Sequence, residues 1–379
     1  MNILIVNMSI DPILGGGTVE RTLQLSAAFE RLKNNVNVLT TNTGVSSAYV
    51  NQLNKRNLKI TAFPSVWKRF YLSVFSRKQI EALVRKADVV LIMNHWTVIN
   101  ILVFWAVKKF NTPYAVCPAG ALPVFGRSRF LKKSYNHVAG KSMIRDAKGL
   151  IAISENEMNH YKAYGADPGK VSIIPNGIKP DEFPYSDGKK FRKSNNIENG
   201  PIILFVGRLN PIKGPDLLLE AFRRCVHKEK LKSSHLVFAG PDGGMLSSLK
   251  KKVRNTGIGD RVHFTGYIGG FEKADAYRAA DFLVIPSRQE AMSIVVLEAG
   301  ISGIPVLLTD QCGFDDVDRV GGGMVVEATV KGLENGLLSM SSNLDKLPVM
   351  GRNLNMFVSK YFLWDHIAKQ HLNLFSGMI

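Results

Sequence analysis

Short apolar runs that alternate with segments of helical spacing restrict this chain more than any other feature, because they leave one broad architecture. Runs of strand length occur at 2–8, 36–41, 59–63, 89–93, 114–117, 150–153 and 171–174. Between the first two, Leu23, Leu25, Ala28, Phe29 and Leu32 keep helical spacing over 19–33. A polar, charged stretch at 187–200 then interrupts the apolar pattern and reads as the linker. The pattern restarts at 202–206, 236–239, 262–264, 282–285 and 305–308. The expected fold is α/β: two doubly wound domains facing each other across a cleft, which is a favoured place for a ligand.

The run at 282–285 leads into Glu290, Ala291, Met292, Ser293, Ile294, Val295, Val296, Leu297 and Glu298. Glu290 is expected on the strand-to-helix loop and Glu298 within the helix. Such loops lie at the carboxyl end of a parallel sheet, where ligands bind and a helix N-terminus suits a phosphate. Two carboxylates beside a phosphate site repel the phosphate but accept hydrogen bonds from a vicinal diol, so a nucleotide carrying a sugar is indicated. Isolated Glu pairs are mostly solvated surface, yet Glu298 is flanked by Val295, Val296, Leu297 and Ala299 and needs a partner. Arg208 and Lys213 frame the loop after 202–206, where a forked guanidinium and a point charge suit a diphosphate. Gly15, Gly16 and Gly17 follow the first strand as a flexible loop that lets backbone N–H groups approach a ligand, without the spacing of a dinucleotide fingerprint. Asn176 and Gly177 read as an interdomain turn.

Length and charge set the remaining bounds. The 379 residues suffice for two full cores. No secretory leader or membrane-spanning run is read at 1–379, and three isolated cysteines, Cys117, Cys225 and Cys312, fit reduced thiols in the cytoplasm. The net charge of +18 is concentrated in the first half: residues 1–180 carry 24 Lys and Arg against 9 Asp and Glu, and residues 181–379 carry 25 against 22. An anionic partner is expected there.

The chain resembles the retaining nucleotide-sugar glycosyltransferases of group 1, whose GT-B fold has two Rossmann-like domains. The resemblance rests on the glycines at 15–17, Ile174-Pro175-Asn176-Gly177-Ile178, Val206-Gly207-Arg208-Leu209 with Lys213-Gly214, Ala239-Gly240-Pro241, Phe264-Thr265-Gly266-Tyr267 and the Glu290-x7-Glu298 pair. Trp364, Ile367, Ala368, His371 and Leu372 look like that family's last helix, which crosses back to the first domain. The resemblance implies a first domain of residues 1–182 plus 360–379 on the acceptor side, and a nucleotide-sugar domain at 183–359. It further implies that Glu298 holds the ribose, Glu290 holds donor-sugar hydroxyls, and Arg208 and Lys213 neutralise the leaving diphosphate. Met292, Ser293 and Ile294 would touch sugar and phosphate through backbone N–H groups. Gly266 and Tyr267 would lie near the base, and Gly16 and Gly17 near the diphosphate. Front-face substitution with retention would need no metal and no cofactor, the donor being of UDP or GDP type. The chain departs from the family where a donor-directed His is usual: Ala119 stands there, and His95 is the nearest substitute.

Arg127, Arg129, Lys132, Lys133, Lys141, Arg145 and Lys148 fall in one helical segment, and Trp67, Lys68, Arg69, Phe70, Tyr71, Phe75, Arg77 and Lys78 mix aromatics with cations. Such surfaces suit anionic lipid, and equally a solvated helix beside buried aromatics. The expected protein is a cytoplasmic, peripherally membrane-bound glycosyltransferase. It would move a hexose or N-acetylhexosamine to a lipid-linked saccharide in polysaccharide, O-antigen or lipopolysaccharide assembly. A transferase with a soluble acceptor is the alternative within enzymes. A basic nucleic-acid or anionic-surface binder with a degenerate sugar site is the alternative outside them, although no nucleic-acid motif is present.

Overall fold

The computed structural model describes residues 1–55, 58–67, 71–124, 129–227, 231 and 233–379. The chain forms two compact units, one of Met1–Gly177 with Trp364–Ile379 and one of Ile178–Leu363. The sequence reading places these divisions at 182 and 359.

In the first unit the apolar runs become seven strands in one parallel sheet. They are β1 (Asn2–Val6), β2 (Asn35–Thr41), β3 (Lys59–Phe63), β6 (Val89–Met93), β7 (Tyr114–Cys117), β8 (Gly149–Ala152) and β9 (Val171–Ile173). Their order is β3-β2-β1-β6-β7-β8-β9. A small antiparallel hairpin, β4 (Ser65–Trp67) with β5 (Leu72–Ser73), stands apart from it. Alternation along the strands divides the core. Leu4, Val6, Leu39, Val90 and Ile92 pack on one face, while Val38 and Ile60 meet Ile10 and Val19 on the other. The helix Trp364–Ser376 belongs to this unit and packs against the helix Pro12–Arg31.

Two expectations are corrected here. Gly15, Gly16 and Gly17 form no loop, because they lie within the helix Pro12–Arg31. Proline at its first position needs no N–H partner, and from Val19 to Phe29 the helix buries an apolar face that outweighs the low propensity of glycine. A Cβ on Gly15 would come within 2.2 Å of the Val19 side chain, so close packing supplies a reason for that glycine. The stretch 187–200 is no linker either. It contains the helix Lys189–Ser194 within the second unit, where Phe191 and Ile197 are buried.

The second unit has six parallel strands: β10 (Ile202–Val206), β11 (His235–Ala239), β12 (Val262–Gly266), β13 (Phe282–Ile285), β14 (Val306–Thr309) and β15 (Gly323–Val326). Their order, β12-β11-β10-β13-β14-β15, proceeds outward in one direction from β10 and in the other from β13. The loops after these two central strands therefore diverge and leave a crevice at their carboxyl ends, the usual ligand position in an open α/β sheet. Arg208 and Lys213 follow β10, and Glu290 follows β13.

Candidate functional site

Gly214 brings the two central loops together. It adopts φ +66°, and a Cβ there would lie 2.1 Å from the Pro286 carbonyl oxygen. Only glycine accepts both the left-handed backbone and that approach. Arg288 fixes the same pair of loops. Its N–H donates to Ile212 O at 2.7 Å, and its guanidinium donates to Pro211 O and, through two nitrogens, to Asp216 at 2.9 and 2.7 Å. Burial opposes ionisation of Asp216, but the Arg288 hydrogen bonds hold its carboxyl below the ordinary value.

Lys213 and Glu290 are the result of this clamp. Lys213 Nζ lies 2.9 Å from Glu290 Oε1, and Ser287 Oγ donates to the same carboxylate oxygen. The Glu290 N–H donates to Gln311 O at 2.8 Å, so the loop is anchored from both sides. Lys213 is itself placed by its N–H, which donates to Asn210 Oδ1 at 2.9 Å. Arg208 is exposed and forms no ion pair with any described residue.

Glu298 is the fifth residue of the helix Ile294–Ser302 and is only 9% exposed. Its partners come from the helix Gly270–Ala279: Lys273 Nζ at 2.5 Å from Oε1 and Tyr277 Oη, donating to Oε2, at 2.6 Å. Burial, and next the Glu298 charge, push the Tyr277 phenol well above its ordinary value, so it remains the donor. Two acceptor positions per carboxylate remain for ligand hydroxyls. Ser293 precedes this helix, and its buried Oγ has no hydrogen-bond partner. Ile294 opens the helix and Met292 is buried beneath the same loop. Gly266 ends β12, and Tyr267 beyond it is 77% exposed. Tyr267 lines a cavity of about 410 Å³ with Phe183, Phe271 and Lys273. One lysine thus touches both the cavity and Glu298.

Of the residues singled out from the sequence, Arg208, Lys213, Glu290, Met292, Ser293 and Tyr267 fall on loops that follow strands of the second unit, Gly266 ends β12, and Ile294 and Glu298 lie in the helix after β13. Gly16 and Gly17 lie on the first helix of the other unit. Sequence reading missed Arg288, Asp216, Lys273 and Tyr277. Only the isolated Glu298 in its apolar run signalled that partners such as Lys273 and Tyr277 had to exist.

His95 is not placed to touch a sugar. It is fully buried after β6, its Nε2 lies 3.1 Å from Asn136 Oδ1, and Trp96, Tyr135 and Tyr164 pack edge-on around its ring. Ala119 is half-buried in a left-handed conformation, φ +49°, and the next N–H, of Gly120, donates to the buried Glu157 carboxylate. A backbone tether, not a side-chain contact, therefore defines that loop. Lys68, Arg69, Phe70 and Arg127, and the Arg129 side chain, lie outside the described residues.

His95 also makes the first unit acid-sensitive. Burial pushes its pKa down to about 4, with the Asn136 bond opposing. Burial and then the Arg21 guanidinium push His371 down to about 3, with the bond to Ile367 O opposing. Below an unfolded value of 6.5 the unfolded chain binds a proton on each ring while the folded chain does not. Stability is therefore unaffected by these groups above 6.5 and falls as pH drops from there toward about 4, approaching ~1.4 kcal/mol per pH unit per histidine. Urea unfolding across that window should show the fall, with a shallower slope in His371→Asn; a flat profile in the wild type would contradict it.

Comparison with known proteins gives consistent likenesses. Residues 187–353 match the family described as Glycosyl transferases group 1, and residues 16–177 match the Glycosyl transferase 4-like domain. The D-inositol 3-phosphate glycosyltransferase of Gordonia bronchialis is 30% identical over 249 residues, 63% of this chain and 54% of that protein. D-inositol 3-phosphate glycosyltransferase 2 of Catenulispora acidiphila is 36% identical over 179 residues, 45% and 42% of the two chains. The chain spans about half the length of these curated relatives. Among solved structures, HepE of Anabaena in complex with UDP aligns over 100% of both chains with a TM-score of 0.82 at 18% identity. WaaG, a glycosyltransferase involved in lipopolysaccharide biosynthesis, aligns over 99% of this chain and 100% of its own with a TM-score of 0.71 at 19% identity.

Proposed function

We propose, from the premise that this chain belongs to the group 1 glycosyltransferases and has their GT-B fold, that it transfers a hexose or N-acetylhexosamine from a nucleoside diphosphate sugar to a saccharide or polyol acceptor. The observation that carries this reading is the Lys213–Glu290 pair at the crevice between β10 and β13, in the same unit as the tethered Glu298 carboxylate. A cation there meets a diphosphate, and the two carboxylates accept from sugar and ribose hydroxyls. Structures of HepE with UDP and with UDP-glucose favour a uridine nucleotide.

Each residue then has a defined task. Glu298 is pre-positioned by Lys273 and Tyr277 to receive the ribose diol, and the exposed Tyr267 offers an aromatic face to the base. Glu290 orients the donor sugar. As the glycosidic bond to the diphosphate breaks, Lys213 and Arg208 stabilise the growing negative charge. A front-face course, in which a leaving phosphate oxygen takes the acceptor proton, needs no protein nucleophile and retains the anomeric configuration. No group of three or more His, Cys, Asp or Glu residues suited to a metal forms among the described residues.

A lipid-linked acceptor at a membrane surface is a second reading, and one surface favours it. Phe130, 80% exposed, and the exposed Leu131 and Val138 share a helical run with Lys132, Lys133, Lys141 and Arg145. No helix among the described residues is long and apolar enough to cross a membrane, so contact would be peripheral. The relatives named for inositol 3-phosphate favour a soluble acceptor instead.

The test incubates chelator-treated protein with UDP-, GDP-, ADP- and TDP-sugars and inositol phosphates or simple sugars, following nucleoside diphosphate release and the product anomer by NMR. Release from one donor class with retained configuration is expected. Inversion, or no release from any donor, would overturn the reading.

A further inference from the structure

A cavity of about 480 Å³ lies in the first unit, lined by residues between 122 and 164. Its buried floor is one hydrogen-bonded chain. Tyr164 Oη donates to Leu122 O at 2.8 Å, Asn136 Nδ2 donates to Tyr164 Oη at 3.0 Å, and Asn136 Oδ1 lies 3.1 Å from His95 Nε2. The core position of His95 thus acquires a purpose as the anchor of this floor.

The exposed side of the cavity carries Lys133, His137 and Lys141, spaced four residues apart. The rod that bears them is α-helical over Arg129–Tyr135, widens to a π-turn over Asn136–Gly140, and resumes at Lys141–Arg145. The Lys141 N–H bonds Asn136 O, five residues back, and such wide turns recur at functional sites. His160 faces the cavity from the helix Met158–Ala163, and its buried Nδ1 has no hydrogen-bond partner. An orphaned polar atom is unfavourable unless a ligand satisfies it.

No acidic side chain lines the cavity among the described residues, and neither lysine forms an ion pair with one. Uncompensated cations around a concave wall favour an anion. Pro123, Ala163 and Tyr164 add apolar wall, which a bare phosphate would leave unused but the C–H face of a sugar ring would cover.

We propose that this cavity binds a phosphorylated saccharide or polyol as the acceptor, with its phosphate on Lys133, His137 and Lys141 and its ring against Tyr164. The acceptor role rests on the transfer reading above. The phosphate can belong to a free sugar phosphate or to a lipid headgroup, and the experiment separates the two.

Full-length protein is titrated calorimetrically with glucose 6-phosphate and, separately, with UDP, and is sedimented with phosphatidylcholine vesicles with and without phosphatidic acid. Glucose 6-phosphate is expected to bind saturably. The double variant Lys133→Ala/Lys141→Ala should bind it at least about tenfold more weakly. Ala163→Trp, which fills the cavity from its exposed wall and leaves every charge in place, should lose as much. UDP binding should be unchanged in both. Vesicle capture that needs phosphatidic acid, fails in the same variants and is competed by glucose 6-phosphate assigns the phosphate to a lipid; soluble binding without capture assigns it to a free acceptor. Absence of saturable binding to either source, or wild-type affinity in both variants, overturns the proposal. UDP binding without phosphate binding sinks this inference and spares the donor site, whereas phosphate binding without UDP binding sinks the acceptor role together with the transfer reading.

Discussion

Lys213→Ala is expected to cut sugar transfer by about 100- to 1,000-fold with a much smaller change in donor KM. The diphosphate gains negative charge as its bond to the sugar breaks, so a cation fixed beside it helps the transition state more than the bound donor. Lys213 is fixed in this sense: its backbone is tied to Asn210, Gly214 closes the loop onto Pro286, and its Nζ sits 2.9 Å from Glu290. Removing the amine would also leave the Glu290 carboxylate, whose side chain is 9% exposed, with Ser287 as its one side-chain partner among the described residues when the anionic donor binds. Lys213→Arg keeps the charge but changes its shape and is expected to restore part of the rate. The exposed Arg208 should behave alike, with Arg208→Ala lowering turnover more than affinity. Steady-state kinetics, with thermal unfolding to confirm folding, decides the matter; wild-type turnover in Lys213→Ala would remove the residue from the chemistry.

Arg21→Met is expected to destabilise the first unit by about 3–5 kcal/mol. Arg21 is 1% exposed and has no carboxylate in ion-pair contact among the described residues. Its guanidinium donates to Ile174 O at 3.0 Å, Pro175 O at 2.9 Å and Asn176 Oδ1 at 2.8 Å, and lies 3.3 Å from His371 Nε2. One side chain thereby joins the first helix, the end of the 1–177 segment and the returning terminal helix. Methionine fills much of the volume but supplies none of the hydrogen bonds that Arg21 gives the Ile174 and Pro175 carbonyls, so hydrophobic replacement is not expected to compensate. Because Arg21 helps depress His371, the variant should also shift the acid-unfolding profile toward a more ordinary histidine. A loss below about 1 kcal/mol in urea unfolding would contradict this account.

Neither the role of Arg21 nor that of Lys273 was legible in the sequence, and the reason is the same. Periodicity reports which residues face a core, not which distant residue a buried charge meets, and these partners lie about 150 and 25 positions away. Local signals were sharper. The apolar runs at 59–63, 89–93, 114–117, 202–206 and 282–285 coincide with strands, and the placement of Lys213 and Glu290 on strand-end loops followed from them. The short β15 escaped notice because Gly321, Gly322 and Gly323 lead directly into it and resemble a loop. The glycines at 15–17 misled in the opposite direction, since propensity favours a loop where tertiary packing imposes a helix. His95 invited a ligand role from its place after a strand, although three aromatic neighbours spread through the sequence enclose it.

The measurement that bears most directly on the central claim, a sugar-nucleotide site built around Glu298 in the second unit, is a metal-free thermal-shift panel of UDP, GDP, ADP and TDP on wild type and Glu298→Gln. The account predicts that one nucleotide, UDP before the others, raises the unfolding temperature of the wild type. The shift should be largely lost in the variant, because a neutral amide held by the same Lys273 and Tyr277 accepts the ribose diol poorly. An equal shift in both proteins, or none with any nucleotide, would contradict it.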